Sequence, residues 1–113
     1  MQNSSMQGGS FLSRFDIYAG LSGGFGGATF QCTVECKDVE EAEWYAKSLA
    51  IEEYESYEGM HGIFSWEDCR DDLIESFGEV TDADVDAYYQ DQIDNWCRWF
   101  VVPHDPYNPP SEE

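Results

Sequence analysis

Six side chains in this sequence are of the types that hold zinc: Cys32, Cys36, Cys69, Cys97, His61 and His104. Thiolate and imidazole are the preferred ligands, but a zinc ribbon supplies them as C-x-x-C knuckles, and none is present. Cys32, Cys36 and Cys69 fall on apolar stripes, so they are read as buried, reduced thiols with no metal expected. Cys32 and Cys36 on one strand would stand ~13 Å apart, too far to bridge. Asp82-x-Asp84-x-Asp86 has the spacing of the start of a calcium loop. However, Ala87 occupies the glycine position and Ile93 the position of the bidentate glutamate, so the triplet is read as an acidic helix start. The run from Gly20 to Gly27 holds five glycines. It lacks the GK[ST] ending of a phosphate-binding loop and joins two strands, so it is expected to be a hairpin tip, with Phe25 exposed on it as an anchor for a partner's pocket. Carboxylate pairs suited to acid–base work carry no information among 24 acids. There is no G-x-S-x-G elbow and no H-E-x-x-H, so no catalytic residue and no cofactor is assigned.

Charge is more informative. Between Glu35 and Asp94, twenty acids face three bases, and the whole chain carries a formal charge of -19. A folded domain at that charge repels itself, which is tolerable where the field steers a basic partner. Residues 1–34 contain a single acid, Asp16, balanced by Arg14. General solubility or adaptation to salt would spread carboxylates more evenly. With 16% aromatic residues, many within the acidic stretch, the chain has the material for a core, so disorder is not expected. Five Lys and Arg residues cannot supply the basic patch that nucleic acid or an anionic membrane requires. No apolar span approaches the ~18 residues of a transmembrane helix, and residues 1–13 lack the features of a signal peptide; the chain is expected to be cytoplasmic.

The elements that position these residues follow from periodicity. Phe15, Ile17 and Ala19 alternate with Asp16 and Tyr18, and Phe30, Cys32, Val34 and Cys36 alternate with polar residues, which predicts two antiparallel strands around the glycine run. Asp38 is the expected N-cap of a helix reaching about Glu58, with Ala42, Tyr45, Ala46 and Leu49 inward. Ser65 and Asp68 form a capping pair for a second helix burying Trp66, Cys69, Leu73, Ile74 and Phe77 and ending at Gly78. A third begins near Thr81 and buries Val85, Tyr88, Tyr89, Ile93 and Trp96. Trp99–Val102 reads as a short strand, apolar on both faces and so central. The expected fold is α+β, a three-stranded antiparallel sheet with about three helices on one face, formed by residues 13–105 between a leader (1–12) and a proline-rich tail (106–113).

Glu40-Glu41-x-Glu43, Glu52-Glu53-x-Glu55, Glu67-Asp68-x-x-Asp71-Asp72 and Asp82-x-Asp84-x-Asp86 place acids along helices, which rise ~1.5 Å per residue. In this character the chain resembles the small acidic inhibitors of host defence carried by phages and mobile elements, the antirestriction DNA mimics and anti-CRISPR proteins. The resemblance implies blockade of the DNA-, RNA- or PAM-binding groove of a CRISPR or restriction nuclease in an infected bacterium, without catalysis. The expected contacts are those acids together with Glu58 and Glu75, and the aromatics Tyr54, Tyr57 and Phe25, since rings among acids suit arginine. An acidic module or chaperone for another basic protein is the alternative, and a small carboxylate-using enzyme a further one.

Overall fold

A computed structural model describes residues 12–107. Apart from Leu12, Pro106 and Tyr107, the expected leader and tail therefore lie outside the described residues. The chain runs β1 (Ser13–Leu21), a short 3-10 turn (Gly23–Phe25), β2 (Gly27–Cys36), α1 (Val39–Ser56), α2 (Trp66–Phe77), α3 (Asp82–Trp96) and β3 (Cys97–Pro103). It is a small α+β fold with an antiparallel sheet in the order β2-β1-β3.

The central strand is β1, not the Trp99–Val102 run. Phe15, Ile17, Ala19 and Leu21 face the helices and are buried, and Asp16 and Gly20 on the opposite face are buried as well. Among the described residues β3 pairs only along β1 and is an edge strand, which leaves Trp99, Phe100 and Val102 exposed. Unbroken apolarity on β3 thus reflects two half-covered faces rather than a central place.

The alternation in β2 is interrupted. Ile17 pairs with Cys32 but Tyr18 pairs with Phe30, so Gln31 is an extra residue, a bulge that turns Phe30 away from the face shared by Cys32 and Val34. Phe30 instead meets Tyr18 edge-on at 5.7 Å, and Phe100 stacks on the same tyrosine at 4.5 Å. The Gln31 amide donates back to the Ala19 carbonyl at 3.0 Å, which ties the bulge to the central strand.

α1 lies across the helix-facing side of β1 and β3. Its buried stripe is Ala42, Ala46, Ala50 and Tyr54, and three alanines let its axis approach the sheet closely. Tyr45, expected inside, is 39% exposed because it sits to one side of that stripe. α2 and α3 pack on each other, and both start on a complete capping box, Ser65 with Asp68 and Thr81 with Asp84. They reach the core through Cys69, Val85 and Ile93. The remainder of the expected α2 stripe is not core: Ile74 is 43% and Phe77 75% exposed, because among the described residues no third element covers this two-helix layer. No described helix is long and apolar enough to cross a membrane.

At Gly20, an added Cβ would come within 2.2 Å of the Gly27 carbonyl oxygen, whereas at Gly24 nothing lies within 4 Å. In urea unfolding, Gly20→Ala is therefore expected to lose ~1–3 kcal/mol by overpacking against backbone. Gly24→Ala, at an open position, is expected to stay within ~0.5 kcal/mol of the parent.

Candidate functional site

The acids divide into those that build the fold and those that face outward. Asp38 caps α1 by accepting from the Glu41 amide at 2.9 Å, and Glu41 accepts from the Lys37 amide at 2.9 Å. Asp68 and Asp84 reach back to the amides of Ser65 and Thr81 at 3.0 and 3.1 Å. Asp72 and Asp86 cross between helices. The Tyr88 hydroxyl donates to Asp72 and the Trp66 indole N–H to Asp86, each at 2.7 Å, so two carboxylates pin α2 against α3. Glu58, just past α1, accepts from the Tyr89 hydroxyl and ties that end to α3.

Glu40, Glu43, Glu52, Glu55, Glu67, Asp71, Glu75 and Asp82 stand exposed, and Glu53 is half-buried. Among the described residues, only Glu35 and Asp71 come within 4.0 Å of an arginine, at 3.4 and 3.5 Å, and both pairs are solvent-exposed. Exposed pairs of this kind contribute little. From Glu67 to Asp94 there are eleven acids and one base, Arg70. This is the α2–α3 layer, where charge is most concentrated on well-defined helices.

The three aromatics expected at an exposed interface are buried or half-buried. Tyr54 is fully buried in the main core, with its hydroxyl donating to the Phe64 carbonyl. As a member of the α1 stripe at four-residue spacing from Ala50, it was findable by extending Ala42 and Ala46 onward. Phe25 is not an exposed anchor. Its ring turns inward, half-buried, with Tyr57 at 4.8 Å, Trp96 at 5.8 Å and His61 at 6.2 Å. Tyr57 is half-buried in the same corner. Trp96 and His61 meet them there, a convergence hidden in the sequence because the three segments involved are far apart.

On the outer sheet face, Asp16 is only 4% exposed and accepts from the Thr33 hydroxyl at 2.8 Å. The His104 Nδ1 lies 2.8 Å from the same oxygen, and the His104 amide donates to the Arg14 carbonyl, which extends the β1–β3 ladder by one bond. This buried polar group holds the chain beyond β3 to the central strand. All four cysteines are free, and Cys36, Cys69 and Cys97 are buried. Burial, helped by nearby carboxylates, pushes the Cys69 and Cys97 thiols up to about 11. Among the described residues no three His, Cys, Asp or Glu side chains converge as a ligand set for a metal ion.

Two measurements check this division. Its hydrogen bond to Asp72, reinforced by burial and the carboxylate charge, pushes the Tyr88 hydroxyl up to about 12, and burial with the Glu58 bond raises Tyr89 too. A hydroxyl raised in the folded state stabilises fully below its unfolded value of 10.0 and ceases to as pH rises through the folded one. The melting temperature is therefore expected to decline between about pH 10 and 12. Asp72→Asn should bring one tyrosine ionisation down, read by tyrosinate absorbance. With a thiol reagent at neutral pH, half-buried Cys32 is expected to react first, and Cys69 and Cys97 only after denaturation. The chain matches no protein-family model, no curated protein and no solved structure, so its function rests on this geometry.

Proposed function

We propose that the chain is a non-enzymatic, cytoplasmic inhibitor whose α2–α3 layer occupies the nucleic-acid or PAM-binding groove of a basic host-defence nuclease, such as a CRISPR or restriction effector. The observation that carries this is the eleven-to-one excess of acid over base between Glu67 and Asp94. Exposed Glu67, Asp71 and Glu75 recur every fourth residue, which sets a row of charges ~6 Å apart along one side of α2. One DNA strand carries a charge per ~3.4 Å of axis, so this row alone has about half its density. Exposed Asp82, Asp84, Asp86, Asp91 and Asp94 on the adjoining α3 add to it.

Phosphate contacts supply much of the affinity of nucleic-acid-binding proteins, and the arginines and lysines that make them accept carboxylates. Near the C-terminal end of α2, Phe77 and Ile74 add exposed apolar surface that phosphate lacks, so contact with a protein groove need not be wholly electrostatic. The acids that build caps and cross-links, Asp68, Asp72, Asp84 and Asp86, are held in place by neutral donors, which orients their charge without cancelling it.

Binding to purified RNA-guided and restriction nucleases, with duplex DNA as competitor, tests the proposal. Affinity is expected to fall by an order of magnitude or more between about 50 and 200 mM salt, and DNA to displace the chain. The triple variant Glu67→Gln, Asp71→Asn, Glu75→Gln should weaken binding at least ~5-fold. The same variant should melt higher at low salt, since it relieves self-repulsion. Loss of binding with a raised melting temperature separates function from folding. Salt-independent binding would sink the electrostatic reading, and binding that leaves the partner's DNA site open would favour an acidic chaperone or adaptor instead.

A further inference from the structure

The corner occupied by Phe25 has the construction of a ligand site. Phe25, Tyr57, His61 and Trp96, with Gly24, line an open cavity of about 330 Å³. The four rings are set as walls rather than as a stack. Phe25 makes angles of 57° with Tyr57, 80° with His61 and 83° with Trp96, and Tyr57 is tilted 66° to His61. A planar guanidinium fits best between parallel rings, whereas rings at steep mutual angles surround a rounded cation.

Backbone hydrogen bonds fix these walls. In the hairpin tip, Ser22 N–H donates to the Trp96 carbonyl at 2.8 Å, and Gly26 N–H to the Gly23 carbonyl at 3.1 Å. After α1, Gly59 N–H donates to the Ile63 carbonyl and Met60 N–H to the Tyr57 carbonyl, at 2.8 and 2.9 Å. Between them His61 is held at φ 54°, a left-handed conformation unusual for a non-glycine residue. Trp96 is enclosed by both loops: a Cβ on Gly23 or Gly62 would sit 3.5 or 3.9 Å from its ring. Rings held this way lose little freedom on binding.

The electrostatics select the sign of the ligand. Aromatic faces carry negative quadrupole potential and attract cations. Tyr57 is the C-cap of α1 and Trp96 the last residue of α3, so two helix C-termini, each with ~half a negative charge, meet at this corner. Neither helix has a basic residue in its last turn, and no Lys or Arg lines the cavity. The chain's charge of -19 raises the local concentration of any cation.

We infer that Phe25, Tyr57, His61 and Trp96 form an aromatic cage that binds an N-methylated ammonium group, whether on a small quaternary amine or on a methylated lysine of a basic peptide. This goes beyond the acidic-layer proposal, and its test involves no nuclease, so either can fail without the other. Calorimetric titration of the whole chain would compare choline, its neutral tert-butyl analogue, a basic peptide carrying trimethyllysine, and the same peptide with unmodified lysine. Choline is expected to bind saturably and at least roughly tenfold tighter than the neutral analogue. Phe25→Leu and Tyr57→Leu, each checked for native circular dichroism and melting, should abolish the preference for choline over that analogue. If the modified peptide binds tighter than both choline and the unmodified peptide, the ligand is a protein side chain; if choline binds as tightly as the modified peptide, it is a small amine. Equal affinity for choline and its neutral analogue, no saturable choline binding, or full retention of the preference in folded Phe25→Leu would overturn the assignment.

Discussion

With five Lys and Arg residues for 24 acids, this fold cannot be held together by ion pairs, and that shortage shapes how its helices are joined. The carboxylates that matter structurally are satisfied by neutral donors: backbone amides at the three helix starts, the Tyr88 and Tyr89 hydroxyls, the Trp66 indole and the Thr33 hydroxyl. A hydrogen bond to a charged acceptor is stronger than one between neutral groups, and a neutral donor leaves the charge in place. Cross-linking of α2 to α3 and of α1 to α3 is therefore achieved without cancelling the negative potential. This also accounts for the tyrosines within the acidic stretch. Two of them, Tyr88 and Tyr89, donate hydrogen bonds to acids that no base is available to meet.

The division between sheet and helices follows from the same constraint. Self-repulsion grows with the number of close like charges, so the elements that build most of the core, β1, β2 and the alanine stripe of α1, gain by being nearly neutral inside. The two core clusters, one around Phe15, Ile17, Ala42 and Ala46 and the other around Leu21, Ala50, Tyr54 and Ile93, join α1 to the sheet and contain no charged residue. The α2–α3 layer buries far less, chiefly Cys69, Val85 and Ile93, and carries the densest charge. Stability resides mostly in one part of the molecule and the electrostatic surface in another.

Local patterns in the sequence made the elements legible: the caps at Asp38, Ser65 and Thr81, the alternation along Phe15–Ala19 and the glycines after α1 and α2 each state a boundary through nearby residues. Strand order was not legible, because Trp99–Val102 is apolar whether it lies at the centre or at an edge, and only the pairing partner decides. The bulge at Gln31 was hidden for a similar reason, since one extra residue in β2 shows only against the register of β1. For α2, periodicity identified an apolar stripe but could not say that, among the described residues, nothing covers its C-terminal half. Among the candidate site residues, most of the acids are exposed, with Glu53, Glu58, Asp68 and Asp72 half-buried. The aromatics are buried or half-buried, because a tyrosine flanked by glutamates on a helix faces inward or outward according to its phase, and Tyr54 keeps the phase of the alanines.

The fate of Phe25 shows how the glycine-rich hairpin and the charge are related. A mobile tip would carry its aromatic into solvent, but here the tip is folded back onto the C-terminal ends of α1 and α3, with the Trp96 carbonyl accepting from Ser22. Those helix ends have negative potential and no basic residue in their last turns; the nearest base is Arg98, whose guanidinium donates to the Cys97 carbonyl just past α3 at 2.9 Å. A chain with 24 acids and five Lys and Arg residues has few bases to place at such ends, and backbone amides of the adjoining loops meet them instead, Ser22 N–H at the Trp96 carbonyl and Met60 N–H at the Tyr57 carbonyl. The rings of Phe25, Tyr57, His61 and Trp96 packed at this corner line a cavity inside a strongly negative field. The corner that closes these two helix ends with backbone donors in place of bases is thus also one whose potential suits a cation, and both follow from the scarcity of basic side chains.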